Sequence, residues 1–195
     1  MMSVISFRYN VICNASPTRL EEAYSKTSLY IRNTPKITAK QIFDQLVSVY
    51  PDDSTFIKSF SEKSITNIPL ARYILVGINN HSNDNKELIT NSNPEELNLE
   101  HILPRKPSKD WDVAFPKKDI DTYISRLGNM TLLDSINNRK IGNSSFQDKC
   151  SQVYSASQLK ITMELLSYSE WSPKQLEVRQ KKMAEIACKI WRLDY

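Results

Sequence analysis

Residues 97–103 read LNLEHIL, and this stretch decides the fold class of the chain. Apolar and polar residues alternate along it and Pro104 follows, a pattern typical of a β-strand that ends there. The next strand signal is MTLL at residues 130–133, directly after the turn residues Gly128 and Asn129. These two stretches predict a small β-hairpin.

Most of the remaining chain shows the apolar spacing of amphipathic helices. Ser16 and Thr38 are candidate N-caps in the first half, and Asp134 is one directly after the second strand. The fold class is therefore mainly α with a small β-hairpin (α+β), in which a helical N-terminal half precedes the hairpin and further helices close the chain. Helices are predicted over residues 17–33, 39–49, 53–61, 69–79, 118–126, 146–154, 156–167 and 172–192, with one more beginning at Asp134.

Residues 79–95 are rich in Asn, Asp and Ser, which is typical of a linker. They predict a boundary between a helical domain over residues 1–85 and a second domain over residues 86–195. The net charge of +4 permits nucleic-acid binding without requiring it.

Composition excludes several classes of site. Three glycines are too few for a phosphate-binding loop, so an NTPase or dinucleotide site within the chain is not expected. Three scattered cysteines argue against a disulfide framework and a four-cysteine zinc site. Neither a membrane span nor a signal peptide is apparent, so we expect a cytoplasmic protein without membrane contact.

The chemistry is concentrated around Glu100 and His101 at the end of the first strand. Neutral imidazole has a pKa suited to a general base, and hard cations such as Mg²⁺ prefer carboxylate and amide oxygens. Adjacent residues of a strand point to opposite faces, so a bend near Pro104 is expected if both side chains serve one centre. Asn129, and Asn137 or Asn138, follow in the next strand and helix.

Each residue also has a purely structural interpretation. His101 could be a buried histidine bonded to backbone, Glu100 a surface ion-pair partner, and the asparagines turn or cap residues. Residues 179–182, Arg-Gln-Lys-Lys, are interpreted as a solvated helix face, and the three tryptophans as packing anchors. His81 is interpreted as a solvated loop residue.

The ordered motifs resemble a known family. They are EHILP at residues 100–104, RLGNMTLL at 126–133, Asn138, and FQDK at 146–149. Together they resemble HNH nucleases of the His-Me-finger type that form the C-terminal domain of GmrSD-type restriction enzymes and of related phage-defence nucleases. The resemblance covers roughly the last hundred residues, and the helical half resembles the segment that precedes this domain in the same proteins.

The resemblance implies a ββα-metal nuclease core within residues 86–195. His101 corresponds to the general base, Glu100 and Asn138 to the metal ligands, and Asn129 to the residue that holds the histidine-bearing loop. Asn137 remains an alternative to Asn138. The expected contacts around the ligands and to phosphate are Asn143, Lys149, Arg105 and Arg139, the two arginines because they flank the proposed site.

The implied function is that of a metal-dependent DNA endonuclease using Mg²⁺ or Mn²⁺ in bacterial restriction or phage defence of foreign or modified DNA. The alternative is a catalytically degenerate module that binds DNA or a partner. The expected partners are DNA and an NTP-binding component, supplied by a separate subunit or a missing N-terminal domain. The chain departs from many HNH enzymes in having Glu100 where they have Asp, and in lacking the zinc-binding cysteines that some of them carry.

Overall fold

The computed structural model describes residues 1–82 and 97–195, which form two compact units. The first unit comprises Met1–Phe60 together with Cys188–Tyr195, and the second comprises Ser61–Ala187. The boundary predicted at residues 85–86 lies outside the described residues and stays a prediction. No helix in the described part of the chain has the length and apolar character needed to cross a bilayer.

The first unit is helical and is organised around Arg8, whose side chain is fully buried. The guanidinium donates to the carbonyls of Pro51 and Trp191 and pairs with Asp53 at 2.8 Å, so its donors are met inside the unit. The helices of this unit are α1 (Met2–Ser6), which continues as a π-helical stretch (Phe7–Ile12), α2 (Pro17–Asn33), α3 (Ala39–Leu46) and α4 (Asp53–Ser61).

The second unit contains an antiparallel pair of strands, β1 (Leu97–His101) and β2 (Met130–Asp134). The register places Glu100 opposite Thr131 and His101 opposite Met130. A two-stranded sheet is not stable by itself in water and must be covered by other elements. The helices that pack against the strands include α5 (Ile68–His81), α7 (Ser135–Ile141) and α9 (Lys160–Met163). The other helices that begin in this unit are α6 (Ile120–Ile124), α8 (Phe146–Gln152) and α10 (Pro173–Ile190).

The predicted fold class, mainly α with a small β-hairpin, is confirmed. Residues 17–33 and 53–61 are helical with both ends as predicted, although the side chain of Ser16 accepts no capping hydrogen bond. Two other predicted caps do form: Thr38 makes a complete capping box with Gln41, and Asp134 accepts the backbone N–H groups of Ile136 and Asn137. β1 ends at His101, two residues earlier than predicted. The predicted helix 156–167 is broken into α9 and a 3₁₀ turn (Glu164–Ser167), and no helix was predicted for α1.

Arg179 on α10 ties that helix to the hairpin. Its side chain is fully buried, and it donates to the carbonyls of Gly128 and Met130 at 2.8 Å and of Ile161 at 3.0 Å, while Glu164 pairs with its Nε. These carbonyls lie at the start of β2 and in α9. The interpretation of residues 179–182 as a solvated face is therefore wrong for Arg179 and for Gln180, which is also buried.

Gln180 makes the second polar contact between α10 and the hairpin and is also fully buried. Its amide oxygen accepts from Arg126 Nε at 2.9 Å and from the Gly128 backbone N–H at 3.1 Å, and its amide nitrogen donates to the Lys63 carbonyl. Lys181 and Lys182 are exposed, as predicted for the face as a whole.

Gly128 allows this close approach. A Cβ built at this position would lie 2.5 Å from the Leu176 carbonyl oxygen and 2.8 Å from Gln180 Cβ. We expect Gly128→Ala to lower the free energy of unfolding by about 1–3 kcal/mol, because the nearest atom belongs to rigid helix backbone. Urea denaturation followed by circular dichroism measures the effect.

The control is Lys181→Ala, on the exposed face of α10, which should change stability by less than about 0.5 kcal/mol. Equal stability of the Gly128→Ala variant and the unchanged protein would contradict the close packing of α10 against the turn before β2.

Candidate active site

His101 is the last residue of β1, and its side chain is half-buried. The ring nitrogen Nε2 is buried and has no hydrogen-bond partner among the described residues. Burial lowers the pKa of His101 to about 4, with smaller contributions from the positive charges of Arg105 and Lys149. The imidazole is therefore neutral at neutral pH and able to accept a proton.

Glu100, the residue before it, is almost completely buried at 6% exposure. Oε1 of its carboxylate lies 2.5 Å from the ammonium of Lys149 and 3.4 Å from the hydroxyl of Tyr154, which donates to it. Burial raises the pKa of Glu100, and the charge and hydrogen bond of Lys149 oppose that change. Burial likewise lowers the pKa of Lys149, against the opposing charge of Glu100.

Glu100 and His101 both lie inside the regular ladder between β1 and β2. Their side chains therefore leave opposite faces of the strand, and no bend separates the two residues. A different connection joins them: Lys149 Nζ contacts both the Glu100 carboxylate and, at 2.9 Å, the His101 backbone carbonyl. The two residues are thus held by one ammonium group from α8.

Asn129 is fully buried and joins three parts of the unit. Its amide oxygen accepts from the Leu103 backbone N–H at 2.8 Å and from the indole N–H of Trp171 at 3.2 Å. Its amide nitrogen donates to the carbonyls of Leu103 and Ile124. The side chain therefore fixes the backbone two residues beyond His101.

Asn137 and Asn138 make different contacts, although they are neighbours on α7. Asn137 donates its amide N–H to Asp134, the N-cap of its own helix. Asn138 donates to the Leu99 carbonyl of β1 at 3.1 Å, two residues before His101. Asn138 is therefore the one of these two asparagines whose side chain contacts the strand that carries Glu100 and His101.

The other predicted contact residues fall into two groups. Arg105, Arg139 and Asn143 are exposed, although the Nε of Arg139 donates to the Ser135 carbonyl of its own helix. Lys149 is fully buried, so its ammonium faces the protein interior instead of solvent. Exposure therefore suits the two arginines, and not Lys149, to contact with a phosphate backbone.

Two of the residues predicted from the sequence carry the kind of oxygen atom that could hold a cation such as Mg²⁺. Glu100 and Asn138 offer hard oxygen atoms, and the buried, unpartnered Nε2 of His101 marks a polar atom that the described chain leaves unsatisfied. Within residues 1–82 and 97–195 no group of three or more His, Cys, Asp or Glu could hold a metal ion. Mg²⁺ is commonly bound by one or two protein oxygens together with waters and substrate phosphates.

Sequence reasoning assigned no site role to Tyr154 or Trp171, yet these residues contact Glu100 and Asn129. The spacing of Phe146 and Lys149 was a usable signal for the buried pair, because residues three apart share a helix face and Phe146 is a core residue. That signal predicts an inward lysine, which requires a buried acidic partner.

Asn129→Asp tests the buried amide. The substitution replaces the N–H donor by an oxygen that faces the carbonyls of Leu103 and Ile124, so we expect a loss of about 2–4 kcal/mol in unfolding free energy. Urea denaturation measures it. Asn143→Asp makes the same chemical change at an exposed position and should be nearly neutral; similar losses in both variants would show that the Asn129 contacts contribute little.

No curated protein sequence matches the chain significantly. A family model described as "GmrSD restriction endonucleases, C-terminal domain" matches residues 50–186, well over half of the chain and nearly all of the second unit. The inferred resemblance to the C-terminal domain of GmrSD-type restriction enzymes is thereby confirmed, and the chain belongs to the family of GmrSD restriction endonuclease C-terminal domains.

Proposed function

We propose that the chain is a metal-dependent DNA endonuclease of the HNH type, which hydrolyses phosphodiester bonds of foreign or modified DNA in bacterial restriction or phage defence. The observation that carries the proposal is the neutral, half-buried His101 with an unpartnered ring nitrogen among the described residues, in a chain of a restriction endonuclease family.

His101 is the general base in this proposal. Its neutral imidazole takes a proton from the attacking water, and Asn129 keeps the backbone after β1 in place while it does so. A phosphate anion near Arg105 would offset a positive charge that lowers the His101 pKa. Substrate binding therefore moves that pKa toward neutrality, where the imidazole is a stronger base.

Glu100 and Asn138 are the proposed ligands of Mg²⁺ or Mn²⁺. When bound, the cation stabilises the negative charge that develops on the phosphate and on the leaving oxygen. The contribution of Asn138 is its amide oxygen, and its amide nitrogen donates to the Leu99 carbonyl of β1.

DNA is the proposed substrate, held through its phosphates by exposed cations around the site. Arg105 lies in the loop that follows His101. Arg139 comes directly after Asn138 on α7. Such contacts bind without reading base sequence. Selection of the target is assigned to a further NTP-binding component, either a separate subunit or another domain.

A second candidate function is a non-cleaving module that binds DNA or a partner. The occupied state of Glu100 favours it, because Lys149 and Tyr154 already contact the carboxylate. The endonuclease is expected to cleave DNA in the presence of a divalent cation, and the non-cleaving module is not.

His101→Ala should lower plasmid cleavage by about 100-fold or more, the usual contribution of a general base, while leaving DNA binding intact. Nicking of plasmid and of modified phage DNA is followed with Mg²⁺, with Mn²⁺ and with EDTA, which should abolish it. His81→Ala, at the exposed end of α5, is the matched control and should cleave normally. DNA binding without cleavage by the unchanged protein under every cation would favour the non-cleaving module instead.

Asn138→Ala and Asn137→Ala distinguish the two candidate amide ligands. We expect Asn138→Ala to weaken Mn²⁺ binding and cleavage by about tenfold or more, since metal-site partners commonly contribute that much. Asn137→Ala should alter only the cap contact with Asp134, and therefore stability by about 1 kcal/mol or less. Calorimetric Mn²⁺ titration gives the affinities, and a larger effect from Asn137→Ala would exchange the two roles.

A further inference from the structure

The second unit contains a cavity of about 190 Å³, whose described lining includes none of the residues assigned to catalysis or metal binding. Its aromatic wall consists of Trp111, Phe146 and Trp171, which are almost completely buried in the core of the unit. Phe146 and Trp171 stack with their ring centroids 5.6 Å apart, so the two rings support each other. A concave, mostly apolar site with a few polar groups at its edge is the usual form of a binding pocket.

The polar groups of this cavity carry charge of one sign. Among the described residues that line it, the charged ones are two exposed carboxylates, Asp110 and Glu170. Ser108 donates to Asp110, and the amide of Gln175 donates to Glu170, but these neutral donors leave both negative charges in place. The cavity therefore attracts a cation and repels phosphate, in contrast to the exposed arginines beside the candidate active site.

The indole N–H of Trp111 points independently to a ligand. Trp111 is 3% exposed, and its Nε1 is buried without a hydrogen-bond partner among the described residues. The other indole of the wall, that of Trp171, donates to Asn129 at 3.2 Å. A buried donor without an acceptor is costly, so a ligand that brings an acceptor to Trp111 would gain affinity.

We propose that this cavity is a docking site for a protein partner, which inserts the side chain of an arginine between the aromatic wall and the two carboxylates. A planar guanidinium both stacks on aromatic rings and donates to carboxylates, a combination that the ammonium of lysine does not match. A backbone carbonyl of the same partner segment is the acceptor that we assign to Trp111 Nε1. The inference goes beyond the proposed nuclease function and does not depend on cleavage.

The wall of the cavity is connected to the candidate active site. Trp171 donates to Asn129, which holds the backbone after His101. Phe146 lies on α8, one turn before Lys149. A partner anchored in the cavity would therefore be attached beside the residues proposed to carry the chemistry, at a place where carboxylates repel DNA phosphates.

The test uses N-acetyl-arginine-N-methylamide as the probe, titrated into the full chain and followed by the indole N–H signals in two-dimensional NMR spectra. The chain has three tryptophans, and Trp191, in the first unit, is the internal control. We expect the Trp111 signal to shift saturably in the millimolar range, as suits a single side chain, while the Trp191 signal does not move. The norleucine derivative should shift neither signal, and the lysine derivative should bind more weakly than the arginine probe.

Asp110→Asn combined with Glu170→Gln removes both charges and keeps the size of the side chains. It should weaken binding of the arginine probe by about tenfold, because two exposed ion pairs are lost. Both residues are exposed, so the variant should fold like the unchanged protein. The matched control is Asp121→Asn combined with Glu177→Gln, which changes two exposed carboxylates of the same unit outside the cavity lining and should bind the probe normally.

Absence of a saturable Trp111 shift, equal binding of the norleucine or lysine probe, or unchanged affinity in the cavity variant would overturn the inference. A duplex oligonucleotide that shifts the Trp111 signal more strongly than the arginine probe would also overturn it, because the cavity would then belong to the DNA-binding surface. So would a dimer in analytical ultracentrifugation that the cavity variant abolishes, because a second copy of the chain would then fill the cavity.

These readouts separate the inference from the proposed function. A chain that cleaves DNA through His101 but shows no response of Trp111 to the probe would keep the nuclease proposal and remove only this one. A chain that binds the probe as described and cleaves no DNA would remove the nuclease proposal and support the docking site.

Discussion

The structure of the second unit depends on how a sheet of only two strands satisfies its backbone. Each strand pairs with another strand along only one edge. Buried N–H and C=O groups near the strand ends therefore need hydrogen-bond partners outside the sheet. Buried polar side chains provide them. Asn129 bonds to both backbone groups of Leu103, and Arg179 bonds to the carbonyls of Gly128 and Met130. The hairpin is thus held by side chains that a hydrophobic core alone would not require.

The same arrangement places the two adjacent residues of the candidate site in different environments. Glu100 is directed into the interior, where Lys149 and Tyr154 contact it, whereas His101 stays half-buried with an unpartnered ring nitrogen. Glu100 is therefore part of a buried ion pair with Lys149. The imidazole of His101 is neutral, and its Nε2 has no hydrogen-bond partner among the described residues. In the proposed nuclease the general base must be neutral in order to accept a proton, and the lowered pKa of His101 meets that requirement.

Local signals predicted local structure well. Thr38 and Asp134 begin helices where their side chains can accept backbone N–H groups, and the two strands lie where apolar residues alternate or cluster. The prediction of a solvated face at Arg179 and Gln180 failed because charge and amide character suggest exposure when read alone. Their burial is stable only because the carbonyls and N–H groups near the start of β2 lie within hydrogen-bonding distance, which no periodicity along α10 reveals.

The fold class and the family could be predicted from the sequence, because both follow from short patterns and their order, and the same patterns supplied the proposed site residues. Tertiary structure alone decided their partners. Glu100 and Lys149 are far apart in sequence, and Asn137 and Asn138 are neighbours whose side chains contact different elements. Such choices depend on which groups folding brings within about 3 Å of each other, and hydrogen bonds and ion pairs act only over that distance.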